Sequence, residues 1–293
     1  MNAKQKVIRH FILTHFNLLL WLQDKEGQRV RTIKWLEHRF LLFEKYCLPS
    51  IKNQVCQEFE WIVLFDSTTP ERFKEKINTN QKECPQFIPV FVEPENGRYF
   101  AEIFREQIVK RLCSKENQNE NEKRLLTTYL DNDDALNVRF VEDLQQRALS
   151  AADGTFFYYD EGYQLYTDYN YMMKIHYPKN HFVSVVESGN PATLKGIFGY
   201  GGHFHINKIE GVKIERIKNQ PMWCEVVHEK NMINDANFFI GTKMVRDSEL
   251  LRREFAIDET VRTGIVIYVF RFLPRYCRTF VKRAKSKLFG RKW

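Results

Sequence analysis

The sequence predicts an α/β fold with a mixed, mostly parallel sheet flanked by helices. Short continuous apolar runs such as Trp61–Phe65 suit strands buried on both faces of a parallel sheet. Between residues 7 and 150 such runs alternate with segments whose apolar residues recur at helical spacing. The chain has 293 residues, 43% of them hydrophobic, so it can bury a full core as one large domain or two small ones, and it is not disordered.

Val7–Leu13 reads as the first strand. From Ile33 to Cys47, the residues Ile33, Leu36, Phe40, Phe43 and Cys47 fall on one helix face, and Pro49 is expected to close that helix. Trp61–Phe65 is a second strand, ending at Asp66. Thr69 as N-cap and Pro70 at the first helical position open a helix carrying Phe73 and Ile77. Phe87–Val92 repeats the strand signal, and Phe100, Ile103, Phe104, Ile108 and Leu112 form a helical stripe. After the polar run Ser114–Lys123, the segment Arg124–Leu130 is a strand that ends in Asp131, Asn132, Asp133 and Asp134. Asn137 can cap a helix carrying Val141, Leu144 and Ala148. In the second half, Thr155–Tyr159, Gln164–Tyr166, Phe182–Val186 and Trp223–Val227 read as strands between long polar or glycine-containing loops. The expected organisation is one domain over residues 1–260, with a nucleotide-binding half at 7–150 and an acceptor-shaping half at 151–260. A basic amphipathic tail follows at 261–293.

The net charge of +8 is unevenly spread: ten basic residues and no acidic one lie between Thr260 and Trp293, which leaves the preceding 259 residues at −2. A near-neutral body disfavours nucleic acid as the partner, whereas a basic end points to surface binding. The six cysteines show no C-x-x-C pair or regular framework, which favours a reducing compartment and a cytoplasmic location over a disulfide scaffold or zinc site. Phe11–Trp21 is too short to span a bilayer, is interrupted by His15 and Asn17, and has no small-residue cleavage site after it.

Three carboxylates within four residues at a strand end carry the most chemistry. Ligands of open α/β sheets bind beyond the carboxyl ends of the strands. Hard divalent ions take one or two carboxylates together with phosphate oxygens. Asp and Asn also form turns for local reasons, so a structural turn stands beside the metal site as a reading. A calcium loop is a poor match, since Ala135 and Leu136 stand where a ligand and a glycine are required.

Ser50-Ile-Lys-Asn53-Gln54, followed by Phe59-Glu60-Trp61-Ile-Val-Leu-Phe65-Asp66, resembles the opening of GT-A glycosyltransferases, especially glycosyltransferase family 2. Leu130–Asp134 is similar to their D-x-D element. A nearer likeness is to a group assigned as rhamnosyltransferases, carried by Trp35-Leu36-Glu37-x-Arg39-Phe40, Leu48-Pro49-Ser50, Leu64-Phe65-Asp66, Leu130–Ala135 and Val226-Val227-His228, over roughly residues 7–235. The resemblance implies a GT-A fold and a metal-dependent, inverting transfer of a sugar, with rhamnose as one candidate, from a nucleoside-diphosphate donor to a glycan or lipid-linked acceptor. It further implies that Asp66 holds the base or ribose, that Asp131 contacts ribose or metal, and that Asp133 is the principal ligand of Mn²⁺ or Mg²⁺, with His228 completing the metal site. Arg124 and Lys123 are candidates to neutralise the diphosphate.

An inverting transfer also needs a carboxylate to take the acceptor hydroxyl proton. Glu187, beyond the apolar run His181–Val186, is the first candidate; Asp160, Glu161 and Asp235 are rivals, each also explicable as a turn or surface residue. The loop Gly196–His205 has the glycines and aromatic groups of a closing lid, or of an ordinary flexible loop, and lacks the lysine of a phosphate loop. Beyond Gly264, basic residues interleave with Phe270, Phe272, Leu273, Tyr276, Phe280, Val281 and Leu288. That pattern suits an anionic membrane surface, a packed terminal helix or a partner-binding tail. Two other classes stay open here: a nucleotidyltransferase, weakened by the lack of a glycine-rich triphosphate loop, and a non-catalytic binding module on a degenerate transferase scaffold.

Overall fold

The computed structural model describes residues 6–20, 32–113, 122–168, 170–201, 203–206, 209–228 and 242–264, together with positions 266, 269, 270, 273, 277 and 281. Strand β1 (Lys6–His15) precedes α1 (Ile33–Leu42), a wide π turn (Phe43–Cys47) and α2 (Leu48–Lys52). There follow β2 (Glu60–Asp66), α3 (Glu71–Glu83), β3 (Phe87–Val92), α4 (Phe100–Leu112) and β4 (Glu122–Tyr129). The remainder comprises β5 (Ala135–Leu136), α5 (Phe140–Ser150), β6 (Thr155–Tyr159), β7 (Glu161–Tyr166), β8 (Tyr171–His176), β9 (Val183–Ser188), α6 (His203–Ile206), β10 (Lys213–Ile217), β11 (Trp223–Val227), β12 (Lys243–Met244) and α7 (Leu250–Phe255).

The main sheet has the order β10-β6-β9-β4-β1-β2-β3, in which β9 alone runs antiparallel to its neighbours. A second sheet, β12-β8-β7-β11-β5, is mostly antiparallel, with β11 and β7 parallel. The mixed α/β architecture read from the sequence is therefore present. Tyr171–His176 forms a strand where the sequence pattern suggests a loop. Its alternation of Tyr171, Met173 and Ile175 packs into the main core and pairs with β7.

Pro49 does not end the first helix. The chain continues helically to Lys52, because the π turn before it relaxes the preceding turn where a proline ring would otherwise meet the carbonyl four residues back. One face of the main sheet is packed by aromatic residues from α1, the π turn and α3: Phe16 lies 4.6 Å from Phe40 and 4.8 Å from Phe65, and Phe43 stacks on Trp61 at 5.3 Å. The opposite face packs Phe11, Leu13, Ile62 and Leu64 against Phe104 and Ile108 of α4. Each such ring or aliphatic side chain contributes about 1.5–3 kcal/mol on full burial. The two sheets are joined through Trp223, which stacks on Phe182 at 4.8 Å and donates its indole N–H to the Tyr159 carbonyl at 2.7 Å. Gly162 on β7 is required there, since a Cβ would lie 2.2 Å from the Trp223 ring.

A buried polar chain crosses the main sheet. His10 Nε2 lies 2.9 Å from Thr128 Oγ1, which lies 2.8 Å from Ser184 Oγ. Burial lowers the His10 pKa from 6.5 to about 3, so the imidazole folds neutral. Its folded pKa is below its unfolded one, hence the unfolded chain binds the extra proton and stability falls as pH drops from 6.5 towards about 3. His10→Gln is expected to flatten the pH dependence of urea stability across that window, by up to about 1.4 kcal/mol per pH unit; an unchanged slope would show that His10 is not buried neutral.

Candidate active site

The C-terminal ends of β1, β2 and β4 share one sheet edge because the three strands are parallel. At that edge the residue before the acidic turn is fixed from two strands, β1 and β2. Leu130 N donates to the Leu13 carbonyl at 3.1 Å, the Thr14 hydroxyl donates to the Leu130 carbonyl at 2.8 Å, and the fully buried Trp61 donates its indole N–H to the same hydroxyl at 2.9 Å. The Ser50…Gln54 pattern holds the other side of the turn. Ser50 Oγ accepts from Leu136 N at 3.2 Å. Gln54 donates to the Asn137 carbonyl at 2.8 Å and accepts from Val141 N at 3.0 Å. One helical turn separates these two side chains, so both reach the segment linking the turn to α5. That gives the motif a physical reason.

The four side chains of the turn have distinct surroundings. Asp131 is the most open, its side chain 29% exposed, with one oxygen accepting from the Tyr129 hydroxyl. Asn132 donates to the carbonyls of His15 and Phe16, at 3.2 and 2.9 Å, and ties the turn to the end of β1. Asp133 is gripped by the Arg39 guanidinium, NH1 to Oδ2 at 3.0 Å and NH2 to Oδ1 at 3.1 Å, and His228 Nε2 lies 3.0 Å from Oδ2. Asp134 accepts from Val226 N at 2.8 Å and faces His181 Nε2 at 2.7 Å.

Burial acts to raise the Asp133 pKa, but Arg39 and His228 outweigh it and hold the carboxyl well below the usual carboxylate range. Asp134 goes the other way. Burial is the largest influence on it, and together with the charges of Asp133 and Asp131 it prevails over His181, which acts to lower the pKa. For His181 burial acts downward, yet the neighbouring Asp134 and Asp131 raise it above the ordinary imidazole value. Asp134 and His181 thus keep a proton between them and act as a strut from the turn to β9 and β11.

Asp131, Asp134 and His181 present ligand atoms that all lie within 4.8 Å of one another. Asp133 and His228 form a second carboxylate–imidazole pair beside them. Both sets offer the carboxylate and imidazole donors that a divalent cation can take.

The other sequence-predicted residues divide by strand direction. Asp66 sits at the same edge, fully buried at the end of β2, where its carboxylate accepts from Thr68 N at 2.8 Å and its N–H donates to Asn17 at 3.0 Å. Arg124 lies near the start of β4 and so towards the opposite edge. Its guanidinium donates to Ser188 Oγ at 3.2 Å and to the carbonyls of Ala148 and Leu149 at the end of α5. Glu187 is also remote. It pairs in register with Leu125, on the order of 20 Å along the strand from Asp131 at ~3.3 Å per residue. Its carboxylate accepts from Lys195 N at 3.1 Å, Gly196 N at 2.8 Å and the Tyr200 hydroxyl at 2.9 Å, anchoring the glycine loop. Gly196 there has φ +65°, which favours glycine. The structure brings neither Arg124 nor Glu187 to the acidic turn.

Among the rivals, Asp160 pairs with Arg216 at 3.1 Å and Glu161 with Lys174 at 2.7 Å, while Asp235 lies outside the described residues. Three residues at the edge had no assigned role in the sequence reading. Arg39 appeared only within a family motif, His181 only as the start of a strand, and Glu225, buried on β11 with its pKa raised by burial, not at all. Beside Asp131, the His15 ring packs against Phe100 at 5.5 Å, Tyr129 at 6.2 Å and Phe198 at 6.3 Å, so the glycine loop forms part of the wall of this edge.

A family model described as "Putative rhamnosyl transferase" matches residues 24–238. No curated protein matches the chain. Among solved structures, similarity is found to S. aureus TarS, with 10% identity over 75% of this chain and 37% of that one, at a TM-score of 0.38. TarS 1–349 matches at 10% identity over 74% of this chain and 60% of that one, with a TM-score of 0.40. TarS 1–349 in complex with UDP matches at 11% identity over 75% and 60%, with a TM-score of 0.35. The chain spans between 37% and 60% of the length of these TarS chains.

Glu187→Gln tests the anchoring role. It is expected to lower stability by about 1–3 kcal/mol, the cost of weakening a buried charged acceptor, and to leave Mn²⁺ binding at the distant acidic turn unchanged. Loss of Mn²⁺ binding in a variant of normal stability would return Glu187 to the site.

Proposed function

The chain belongs to the rhamnosyl transferase family, whose model covers residues 24–238, and on that premise we propose that it moves a deoxyhexose such as rhamnose from a nucleoside-diphosphate donor to a glycan or lipid-linked acceptor, using a divalent cation. The observation that carries the reading is the meeting of Asp133 and His228, from segments far apart in sequence, beside the open carboxylate of Asp131 at the carboxyl edge of β1 and β4. Asp131, Asp133 and His228 would hold the cation, which stabilises the charge that grows on the leaving diphosphate when the sugar–phosphate bond breaks. Asp66 would serve the nucleoside from the neighbouring strand, and the Asp134–His181 strut would keep the turn in place. Inversion at the anomeric carbon, the result of a single displacement, belongs to the same proposal and is read from the anomeric configuration of the product.

A second assignment of the cation has its own support, the grouping of Asp131, Asp134 and His181. Asp134 argues against it, because its oxygens serve a backbone N–H of β11 and His181, partners held by the two sheets, whereas the Arg39 fork on Asp133 is a side chain that can move away. The test is nucleotide release from a panel of nucleotide sugars, including deoxythymidine diphosphate rhamnose, with Mn²⁺ or Mg²⁺. Metal-dependent release from one donor is expected, lost in Asp133→Ala and His228→Ala. His181→Ala is expected to lower stability while retaining Mn²⁺ binding; the reverse pattern would move the cation to Asp131, Asp134 and His181. If no donor binds at all, the transferase reading fails.

We further propose that the basic tail binds an anionic membrane surface. No helix among the described residues is long and apolar enough to cross a membrane. At the described tail positions, Val266, Val269, Phe270, Leu273 and Val281 are all exposed, and positions 266, 270, 273, 277 and 281 step by three or four residues, the spacing of one helix face. Basic residues flank them in sequence. Each contributes roughly 1 kcal/mol at an anionic surface. Co-sedimentation with phosphatidylserine vesicles is expected for the full chain, to weaken with salt and to be lost on removal of the residues after Gly264; equal sedimentation of the shortened chain would remove this proposal.

A further inference from the structure

Arg39 stands where the proposed cation chemistry needs room. It comes from α1, with its guanidinium carbon 5.8 Å from the Trp35 ring centre, and its side chain is only 11% exposed. Its two terminal nitrogens bind both oxygens of Asp133, and NH2 also reaches the Asn132 side chain. The Nε–H is buried and has no hydrogen-bond partner among the described residues. The guanidinium is therefore well held on one side and under-used on the other.

Two physical constraints follow. Arg39 takes a lone pair on each Asp133 oxygen and His228 Nε2 lies against Oδ2 as well, so about three of the four lone-pair sites are engaged, and a divalent ion at Asp133 would sit against the like charge of the guanidinium. Arg39 and a cation at Asp133 thus compete for one ligand. A guanidinium this buried, in turn, requires an anion beside it, since an uncompensated buried charge costs several kcal/mol. Arg39 can leave Asp133 only when another anion is present. A diphosphate is such an anion, and the buried Nε–H is a donor waiting for an acceptor.

We propose that Arg39 is an exchangeable counter-ion: it holds Asp133 while the site is empty, and it passes to the diphosphate of the donor when a divalent cation takes Asp133. The inference rests on the assignment of Asp133 as a cation ligand. Its consequence is that cation and nucleoside diphosphate each tighten the binding of the other, by the same factor in both directions. Neither is held well alone.

The experiment measures Mn²⁺ binding to the full chain by paramagnetic resonance and calorimetry, alone and with UDP or deoxythymidine diphosphate, for the parent protein, Arg39→Gln and Arg39→Lys. Thermal unfolding checks that each variant is folded. Arg39→Gln is expected to bind Mn²⁺ alone more tightly than the parent, on the order of tenfold for the loss of a competing bidentate pair. The enhancement of Mn²⁺ affinity by the nucleotide should shrink towards none. Arg39→Lys, which keeps the charge without the fork, should fall between the two, and it carries the test if Arg39→Gln does not fold. Unchanged or weaker Mn²⁺ binding in folded variants would overturn the proposal, as would an undiminished enhancement by nucleotide. Should no nucleoside diphosphate bind to any form, the transferase reading fails. The comparison with Mn²⁺ alone still decides whether Arg39 blocks Asp133.

Discussion

The parallel pairing of β4 with β1, in the register that sets Tyr129 opposite Leu13, is the constraint on which the candidate site depends. It brings the end of β4 level with the end of β1, so that Asn132 can bond the carbonyls of His15 and Phe16. The Thr14 hydroxyl, between the Trp61 indole and the Leu130 carbonyl, then ties that register to β2. A slip of one residue would reverse which faces Leu130 and Asp131 present and would bury the wrong one. The hydrophobic sheet and the acidic turn are thus parts of one structural solution, since the aromatic packing that fixes β2 also fixes the turn.

Three carboxylates within four residues at a buried edge would repel one another without countercharge. Each receives a different kind of partner. Asp134 is satisfied by a backbone N–H of β11 and by His181, partners fixed by the sheets on either side. Asp133 is satisfied by the side chains of Arg39 and His228, one from a helix and one from the residue beyond a strand. Asp131 keeps the greatest exposure. The order along the turn therefore runs from open, through exchangeable, to permanently engaged. This gradation separates a residue that can meet a ligand from one that holds the turn in shape, and it is why a simple count of clustered ligand atoms and the hydrogen-bond pattern point to different groups.

The strands of the first half and the acidic edge were largely legible in the sequence, because buried parallel strands leave continuous apolar runs and their carboxyl ends face one way. Trp61–Phe65 and Leu125–Leu130 announced themselves in this manner. Direction was not legible. The run from His181 to Val186 is as apolar as its neighbours, and nothing local states that β9 runs against them. Reading it as parallel selects Glu187 at its end, whereas the reversed strand puts His181 at the site and sends Glu187 to the far edge. Arg124 was misplaced for the related reason that it lies near the start of its strand, away from the carboxyl edge. Arg39 could not be found from spacing at all. It occupies the partly buried side of a helix, and only the three-dimensional packing of α1 over the turn gives it a partner.

Strand reversal also explains how the far edge supports the near one. β9 leaves the acidic turn and ends beside Glu187, and β10 starts at that same far edge, so the glycine loop between them is an excursion over the α4 face towards the acidic turn. Glu187 binds two successive backbone N–H groups at its start, and Thr127 accepts from Ile197 N at 2.8 Å. With the start of the loop fixed, Phe198 stacks on Phe104 at 5.0 Å and reaches the His15 and Tyr129 rings. Tyr129 in turn donates its hydroxyl to Asp131. A contiguous path of hydrogen bonds and ring contacts thus runs from Glu187, remote from the turn, to the most open carboxylate within it. A carboxylate that was the natural candidate for the proton-accepting role is better understood as the anchor of the wall against which Asp131 is held.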